Sequence, residues 1–452
     1  MKSKGRTVLE NPLAGAEDFP FESVLRPGDR ICFGQACSEP TGLVRELLRQ
    51  GERLHAKFGR LKLFICGSYS GLIKPEHGAW FDFEGYGAIG DSALLERRGL
   101  LDVHPVHYSQ LPALMESTLR PDVMLLQLSG PDLQGRYSLG AANDFQSTAA
   151  RSARVVIAEL TSFAPFSPSA LLPDDVRIDH VVRTDLPLIE VTSAASDDTA
   201  EAIASHVAGL IEDGATLQLG VGSLMDAICR RLINHKDLGV HGGIMTDGLA
   251  ELMMRGNITN ARKGSHPGRS VIGSLLGTRR LFDFADNNDD ICLSETDVTH
   301  SPESLGRQYR LSSINSAVEV DLSGQVNAEV SGGRYIGAVG GQLDFVRAAV
   351  RSPGGKSIIA LPSTARGGSI SRIVSSLHGP VTTPRSDVEY VVTEWGVACL
   401  RGRSITERMR AMLAIAHPNH REALSAAVHV AGKSITRSTS PTPHQAGVVA
   451  RM

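Results

Sequence analysis

Two glycine turns in the second half of the sequence have the residue pattern of backbone anion sites. In the segment 215–223 an apolar run leads into Gly220 and Gly222, and apolar residues at helical spacing follow. Free amides at such a helix start can hold an anion. The pattern is not a full dinucleotide fingerprint, because Met225 occupies the last glycine position and no P-loop lysine follows. The sequence therefore leaves an ordinary tight turn and a ligand loop as alternatives.

A second glycine cluster has polar side chains directly beside it. Gly340 and Gly341 would let backbone amides approach a ligand oxygen closely, and Gln342 and Asp344 follow them. A hairpin turn and a ligand loop are both compatible with this segment. A third cluster, 366–372, combines glycine with arginine, so that it could either contact phosphate or form a solvated turn.

Common catalytic and metal-binding motifs are absent from the sequence. It contains no HExxH, no cysteine and histidine set with zinc spacing, and no GxSxG elbow. Metallohydrolase and serine-hydrolase interpretations therefore have no support. His241, His266 and His417 are assigned to turns or to the core, and we predict no metal site.

The composition excludes several classes of protein. Lys and Arg number 46 against 49 Asp and Glu, a net charge of −3, so no basic excess indicates a nucleic-acid binder. Hydrophobic residues at 42% and charged residues at 21% are typical of globular proteins. No apolar run approaches the roughly 18 residues of a spanning helix, and no signal pattern opens the chain. The six cysteines fit reduced thiols, and we predict a cytoplasmic protein without membrane partners.

The elements that would position these residues alternate between strands and helices. Short apolar runs at 30–34, 62–67, 123–128 and 155–158 predict buried strands of a largely parallel sheet. An apolar stripe predicts a helix over 41–50. The 46 glycines fit many tight strand–helix turns, so we predict an α/β fold with a doubly wound or related layer.

The same alternation restarts near Thr199, which indicates a second domain. The stretch 190–198 is small and polar, as linkers are. We therefore predict an N-terminal α/β domain over 1–192 and a C-terminal α/β domain over 193–432. Residues 433–452 are rich in Ser, Thr and Pro and are predicted to form a flexible tail.

Several segments, in the same order, resemble the acetyl-CoA hydrolase/CoA-transferase family, which includes 4-hydroxybutyrate CoA-transferase-like enzymes. These segments are 38–40, 135–140, 214–222, 314–329, 340–345, 381–385, 391–398 and 415–418. The similarity extends from about residue 25 to about residue 425. It implies two CoA-transferase-like α/β domains with the active site at their interface, and a homodimer or higher homo-oligomer. It also implies an acyl-CoA substrate, with coenzyme A as part of that substrate and no permanently bound cofactor.

The resemblance fails at the residue on which the family's chemistry depends. Family members use a glutamate to attack the acyl-CoA carbonyl, which gives an acyl-glutamyl anhydride and then a glutamyl-CoA thioester. In the corresponding segment 238–248, Gly243 stands where this glutamate should be. Asp247 and Glu251 lie too far along the chain for their carboxylates to reach the same point in the usual way. The resemblance therefore implies that the covalent relay cannot run through this position.

Three interpretations remain open at this stage. The chain is a CoA-ester hydrolase or lyase without a covalent relay, a CoA-transferase with a relocated nucleophile, or a non-catalytic acyl-CoA binder. A water-based reaction needs amide donors for the developing charge and a general base. Our candidate catalytic positions are Gly243, Glu39, Asp247 and Glu329. Our candidate substrate-binding residues are Gly220, Gly222, Gly340, Gly341, Gln342 and Asp344.

Overall fold

The first half of the chain forms one eight-stranded parallel sheet. The computed structural model describes residues 13–426, so the predicted tail at 433–452 lies outside the described residues. The strands are β1 Leu13–Ala14, β2 Arg30–Phe33, β3 Leu61–Ile65, β4 Phe81–Gly85, β5 Leu101–Val103, β6 Val123–Leu128, β7 Val155–Thr161 and β8 His180–Thr184. Their spatial order is β1-β8-β7-β6-β2-β3-β4-β5, and every neighbouring pair is parallel.

Helices cover this sheet, which explains why its strands are apolar on both faces. Every residue of β6 is buried, as expected for a central strand of a parallel sheet. The helices are α1 Phe21–Val24, α2 Thr41–Arg49, α3 Gly51–Phe58, α4 Ser92–Arg97, α5 Leu111–Met115 and α6 Gln146–Ser152. Three short 3-10 helices span Ala36–Ser38, Pro75–Ala79 and Tyr108–Gln110.

The second half of the chain forms a six-stranded sheet and several small ones. Its strands are β9 Thr216–Leu219, β10 Gly239–Val240, β11 Ile244–Met245, β12 Ser270–Ile272, β13 Ser274–Leu275, β14 Ile291–Leu293, β15 Leu311–Asn315, β16 Glu319–Asp321, β17 Val326–Asn327, β18 Val330–Ser331, β19 Arg334–Tyr335, β20 Lys356–Ala360, β21 Thr364–Ala365, β22 Ile370–Ser371, β23 Ile373–Val374, β24 Tyr390–Thr393 and β25 Gly396–Cys399. The six-stranded sheet has the order β10-β9-β15-β20-β24-β25, and only β25 is antiparallel to its neighbour.

Eight helices accompany these strands, and one apolar cluster joins the two halves. The helices are α7 Asp198–Ala208, α8 Ser223–Arg231, α9 Asp247–Met254, α10 Arg279–Ala285, α11 Thr296–Thr299, α12 Pro302–Leu305, α13 Gln342–Arg351 and α14 Ile405–Ile415. The largest buried cluster contains Met124 of β6 and Leu217 of β9 together. One apolar cluster therefore extends through both halves of the chain.

The structure confirms the predicted α/β fold class. All four predicted strands and the predicted helix over 41–50 are present, with their ends displaced by at most a few residues. The two large sheets lie on either side of the boundary predicted at residue 192, and the division into two domains remains our proposal. All six cysteines are free. Among residues 13–426 no helix has the length and apolar character needed to cross a membrane.

In each large sheet there is one strand whose two neighbours are reached by chain connections running to opposite sides of that strand. In the first sheet, β3 and β6 lie on opposite sides of β2, and in the second, β10 and β15 lie on opposite sides of β9. Open α/β sheets bind ligands outside the carboxyl ends of the strands at such points. Gln35 follows β2 closely, and Gly220 comes directly after β9. The topology therefore singles out these two strand ends as places to look for a site.

Candidate active site

The side chain of His300 lies directly beside Gly243. A Cβ atom on Gly243 would lie 3.1 Å from Cε1 and 3.4 Å from Nε2 of this imidazole. A Cβ atom on Gly341 would lie 2.6 Å from the same Nε2 and 2.7 Å from Cδ2. Gly243 comes after β10, Gly341 precedes α13, and His300 directly follows α11, so three separate elements meet here. The ring lies between two glycines, and side chains at those positions would crowd it.

Burial keeps this imidazole neutral. His300 is only 4% exposed, and its ring packs against the rings of Tyr108 and Phe345 at centroid distances of 4.8 and 4.7 Å. Its Nδ1 lies 2.8 Å from Oγ1 of Thr299. Loss of solvation lowers the pKa of His300 to about 3. The residue is therefore uncharged at neutral pH.

A buried polar cluster from the first half of the chain adjoins this histidine. The side-chain amide of Gln35 donates to Asp144 Oδ2 and lies within hydrogen-bond distance of the Tyr108 hydroxyl, both at 2.6 Å. The Tyr86 hydroxyl donates to Oε1 of Gln35 at 3.1 Å, and the Phe145 amide donates to Asp144 Oδ1 at 2.7 Å. Burial raises the pKa of Asp144 to about 6. Tyr108 connects this cluster to the imidazole.

Backbone hydrogen bonds fix the polar cluster relative to Gly243. The Gly273 amide donates to the Gly243 carbonyl at 2.9 Å, and the Asp144 amide donates to the Gly273 carbonyl at 3.3 Å. The Thr296 amide, which begins α11, donates to the Asp144 carbonyl at 3.1 Å. The backbone of Asp144 therefore bonds directly to α11, the short helix before His300. Through Gly273 it is also connected to the loop after β10.

The predicted glycine turns have space around them. Gly222 precedes α8 with a φ of 108°, and Gly340 has a φ of 55°, so both occupy conformations that favour glycine. Apart from the adjoining residues, no atom of residues 13–426 lies within 4 Å of where a Cβ would stand at either residue. The Gly220 amide donates a hydrogen bond to the Ile314 carbonyl at 2.9 Å, so it is not free to bind a ligand. The second cluster begins helix α13, which favours a ligand loop over a hairpin.

The polar residues after Gly341 make structural contacts. The carboxylate of Asp344 accepts hydrogen bonds from the Ser109 amide at 3.2 Å and hydroxyl at 2.8 Å. The side-chain amide of Gln342 donates to the Ser316 carbonyl at 3.1 Å. These contacts hold the start of α13 in place, and substrate binding by either residue remains a prediction.

Glu329 is the candidate acid that lines a cavity near the glycine turn. The cavity of about 360 Å³ is also bounded by His107 and Leu343. Residue 107 forms a β-bridge with Gly340. The Thr382 hydroxyl donates to Oε1 of Glu329 at 2.7 Å, and the residue is only 3% exposed. This carboxylate is thus placed close to the turn expected to contact the ligand.

The acids that follow Gly243 in the sequence, Asp247 and Glu251, have hydrogen-bond or ion-pair partners away from Gly243. Asp247 accepts hydrogen bonds from the Thr278 amide at 3.0 Å and hydroxyl at 2.8 Å. Glu251 forms ion pairs with Arg255 and Arg280. Among the described residues neither carboxylate is hydrogen-bonded to His300. These contacts give no support to a nucleophile relocated to either acid.

Glu39 is buried among loops of the first sheet. The Ser68 and Ser70 hydroxyls donate to its two oxygens at 2.8 and 2.6 Å. Burial raises the pKa of Glu39 to about 7 despite these bonds. The described side-chain bonds of Glu39 do not reach the second half of the chain, so a catalytic role for it remains a prediction.

This raised pKa predicts a pH-dependent stability that Glu39→Gln should remove. Between about pH 4.5 and 7 the folded protein keeps Glu39 protonated while the unfolded chain ionises it, so stability falls as pH rises. The expected contribution across this window is on the order of 2 to 3 kcal/mol. Denaturant unfolding of both proteins at pH 5 and pH 8 measures it.

The raised pKa of Asp144 also makes the stability of the folded protein fall as pH rises. The lowered pKa of His300 has the opposite effect and makes stability rise with pH below about pH 6.5. The difference between the wild type and the variant cancels both contributions. Glu52→Gln, on the exposed side of α3, is the matched control and should leave the pH dependence unchanged. Identical slopes for the wild type and Glu39→Gln would contradict the assigned pKa.

Comparison with known proteins identifies the family. The family model described as the acetyl-CoA hydrolase/transferase C-terminal domain matches residues 277–428. The 4-hydroxybutyrate coenzyme A transferase of Clostridium kluyveri is 39% identical over 406 residues, which cover 89% of this chain and 94% of that protein. An acetyl-CoA hydrolase of Yarrowia lipolytica is 28% identical over 299 residues, 62% of this chain and 53% of that one. The crystal structure of RipA from Yersinia pestis superposes with a TM-score of 0.88 at 32% identity, covering 94% of this chain and 98% of RipA.

The fold and these similarities define a CoA-transferase-like α/β enzyme. Within that class, the chain belongs to the acetyl-CoA hydrolase/CoA-transferase family. Relatives in this family are named for both transfer and hydrolysis, so family membership alone does not select the reaction.

Proposed function

We propose that this enzyme hydrolyses or cleaves an acyl-CoA without forming a glutamyl-CoA intermediate. The observation that carries the proposal is the pairing of Gly243 with His300. The resemblance puts the family's nucleophile at residue 243, and here a neutral imidazole lies within 3.4 Å of the position where a Cβ atom would stand. Coenzyme A takes part only as a portion of the substrate.

The remaining groups suit attack by water on the thioester. Water adds to the carbonyl carbon, negative charge develops on the carbonyl oxygen, and collapse expels the CoA thiolate. Amides of the turn at Gly340 and Gly341 are candidate donors to that oxygen. Glu329 is the acid best supported as the base, because it lines the cavity beside this turn. Asp247 is less suited, because its carboxylate is bonded to Thr278.

The test combines product analysis with intact-protein mass spectrometry. Acetyl-, succinyl- and longer acyl-CoA are incubated with the enzyme in the absence of an acceptor carboxylate, and free thiol is measured with time. We expect CoA release from at least one ester and no CoA attached to the protein. A CoA thioester mapped to Asp247, Glu251 or Glu329 would contradict the proposal and establish a relocated nucleophile.

Thermal shift separates an inactive binder from a protein that binds nothing. A ligand at one hundred times its dissociation constant adds about 2.7 kcal/mol to stability. Stabilisation by several esters without release of CoA from any of them would identify a non-catalytic acyl-CoA binder. No stabilisation and no release would contradict every acyl-CoA function proposed for this chain.

The finer features implied by the family resemblance belong to the same proposal. We infer a homodimer or larger homo-oligomer, which light scattering of the purified protein would measure. We also infer a cytoplasmic location and an active site at the interface of the two proposed domains. The hydrogen bonds between the Asp144 loop and Gly273 support an interface site, because they join the two halves beside Gly243.

A further inference from the structure

We propose that His300 is a catalytic residue whose Nε2–H group donates a hydrogen bond to the thioester carbonyl oxygen. In this role it acts as a neutral donor, not as a base or a nucleophile. The inference rests on the proposed function, because it assigns a residue to the water-based reaction described above.

The first argument is the position of Nε2. This atom lies 3.4 Å from where a Gly243 Cβ would stand and 2.6 Å from where a Gly341 Cβ would stand. Side chains at those positions would crowd the ring, so the two glycines leave room for Nε2 between them. The same edge adjoins the glycine turn, whose amides are candidate donors to a substrate oxygen. An imidazole donor and backbone donors can therefore converge on one atom.

The second argument is the tautomer. The Thr299 hydroxyl has three possible acceptors. Nδ1 of His300 lies 2.8 Å from this hydroxyl, whereas the carbonyl oxygens of Glu295 and Thr296 are each 3.4 Å from the same hydroxyl. A hydroxyl has one proton to donate, and the shorter contact is the better hydrogen bond. With Thr299 donating to Nδ1, the ring carries its own hydrogen on Nε2. The Nε2–H group of His300, on the ring edge beside Gly243 and Gly341, is then a hydrogen-bond donor.

The third argument is that, within the part of the chain that the structure describes, no charged group is hydrogen-bonded to the ring. A histidine that takes up a proton in catalysis is commonly stabilised by a carboxylate at Nδ1. Here the partner of Nδ1 is a hydroxyl, and the two flanking rings of Tyr108 and Phe345 are uncharged. Burial lowers the pKa of His300 to about 3, which opposes a positive ring. A neutral imidazole can still stabilise an oxyanion by donating from nitrogen.

The reaction then balances without a proton leaving His300. The water oxygen bonds to the carbonyl carbon, and the electron pair of the C=O π bond moves to the oxygen that Nε2–H contacts. When the carbonyl re-forms, the C–S bond breaks and its electron pair leaves on the CoA thiolate. The proton lost by water passes to the base and then to the thiolate or to solvent.

Two substitutions separate a donor from a base. His300→Gln keeps an N–H donor near the position of Nε2 but cannot take up a proton, whereas His300→Ala removes the donor. We expect kcat/KM for CoA release to fall by about 100- to 1,000-fold in His300→Ala, as for loss of an oxyanion donor. We expect His300→Gln to remain within about tenfold of the wild type. His206→Ala, on the exposed side of α7, is the matched control and should retain full activity.

Each outcome has a distinct meaning. If His300→Gln is as slow as His300→Ala while both bind the acyl-CoA and unfold cooperatively, the residue acts as a base or nucleophile and the inference is wrong. If His300→Ala releases CoA as fast as the wild type, the ring only fills space and the inference is also wrong. A wild-type enzyme that releases no CoA from any ester contradicts the proposed function itself. Thr299→Val adds a readout of positioning, with kcat expected to fall and KM to stay unchanged.

Discussion

Gly243→Glu combined with His300→Ala is expected to give a protein that becomes covalently linked to CoA. The φ of Gly243 lies outside the left-handed region, so the backbone accepts a side chain at this position. The obstacle is the imidazole, with Cε1 only 3.1 Å from the new Cβ. Shortening His300 to alanine opens the path that the glutamate needs, and the carboxylate can then attack the thioester. Gly243→Glu alone should react much less, because its side chain must displace the buried ring.

Intact-protein mass spectrometry after incubation with acyl-CoA measures the adduct, and transfer to acetate measures the gained activity. The matched control is Gly242→Glu with His300→Ala. A Cβ at Gly242 faces Cγ of Gln218 at 3.5 Å and does not face the imidazole. An adduct in this control, or none in the Gly243 double variant despite normal folding and acyl-CoA binding, would show that residue 243 is not the nucleophile position.

Asp144→Ala is expected to destabilise the protein by about 3 kcal/mol or more. The carboxylate accepts hydrogen bonds from the Phe145 amide, from Gln35 and from Tyr108. Alanine would leave the Phe145 amide, the Tyr108 hydroxyl hydrogen and one hydrogen of the Gln35 amide without their acceptor, and each such buried donor costs about 1–3 kcal/mol. Activity should fall as well, because Tyr108 packs directly on His300. Denaturant unfolding and CoA release measure the two effects.

Two further variants isolate the cause of this loss. Asp144→Asn keeps an acceptor for the Phe145 amide and should lose less stability than alanine. Asp175→Ala removes a 57% exposed carboxylate that pairs with Arg151, so the expected loss is below about 1 kcal/mol. If Asp144→Ala and Asp175→Ala cost the same, the Asp144 carboxylate does not stabilise the site as its hydrogen bonds indicate.

The elements of the fold were predictable because their signals are local. The apolar runs that predict β2, β3, β6 and β7 are bounded by glycine, proline or aspartate, and these strands are buried because helices cover both faces of the sheet. The glycine turns were also predictable, since the positive φ values of Gly222 and Gly340 favour glycine. Such features depend on a few adjacent residues and not on the tertiary structure.

The contacts of the site were not predictable from spacing. His300 lies beside Gly243 on a segment whose preceding helix, α11, bonds to the Asp144 carbonyl from the other half of the chain. No periodicity or motif connects these residues, and the histidines considered from the sequence did not include His300. Gln35 and Asp144 were missed for the same reason. Conversely, Asp247 and Asp344 lie in family-like motifs, yet the structure shows their carboxylates bonded to Thr278 and Ser109.

The occupied gap between two glycines also constrains how such a sequence can have evolved. A Cβ at position 243 would lie 3.1 Å from the imidazole at position 300, so we expect a glutamate at position 243 to crowd this ring. We therefore expect that a glutamate at position 243 was lost before, or together with, the arrival of the histidine. We expect reversion to need the opposite order. In any set of relatives, residues 243, 300 and 341 should covary, with histidine at position 300 found only where both other positions are glycine.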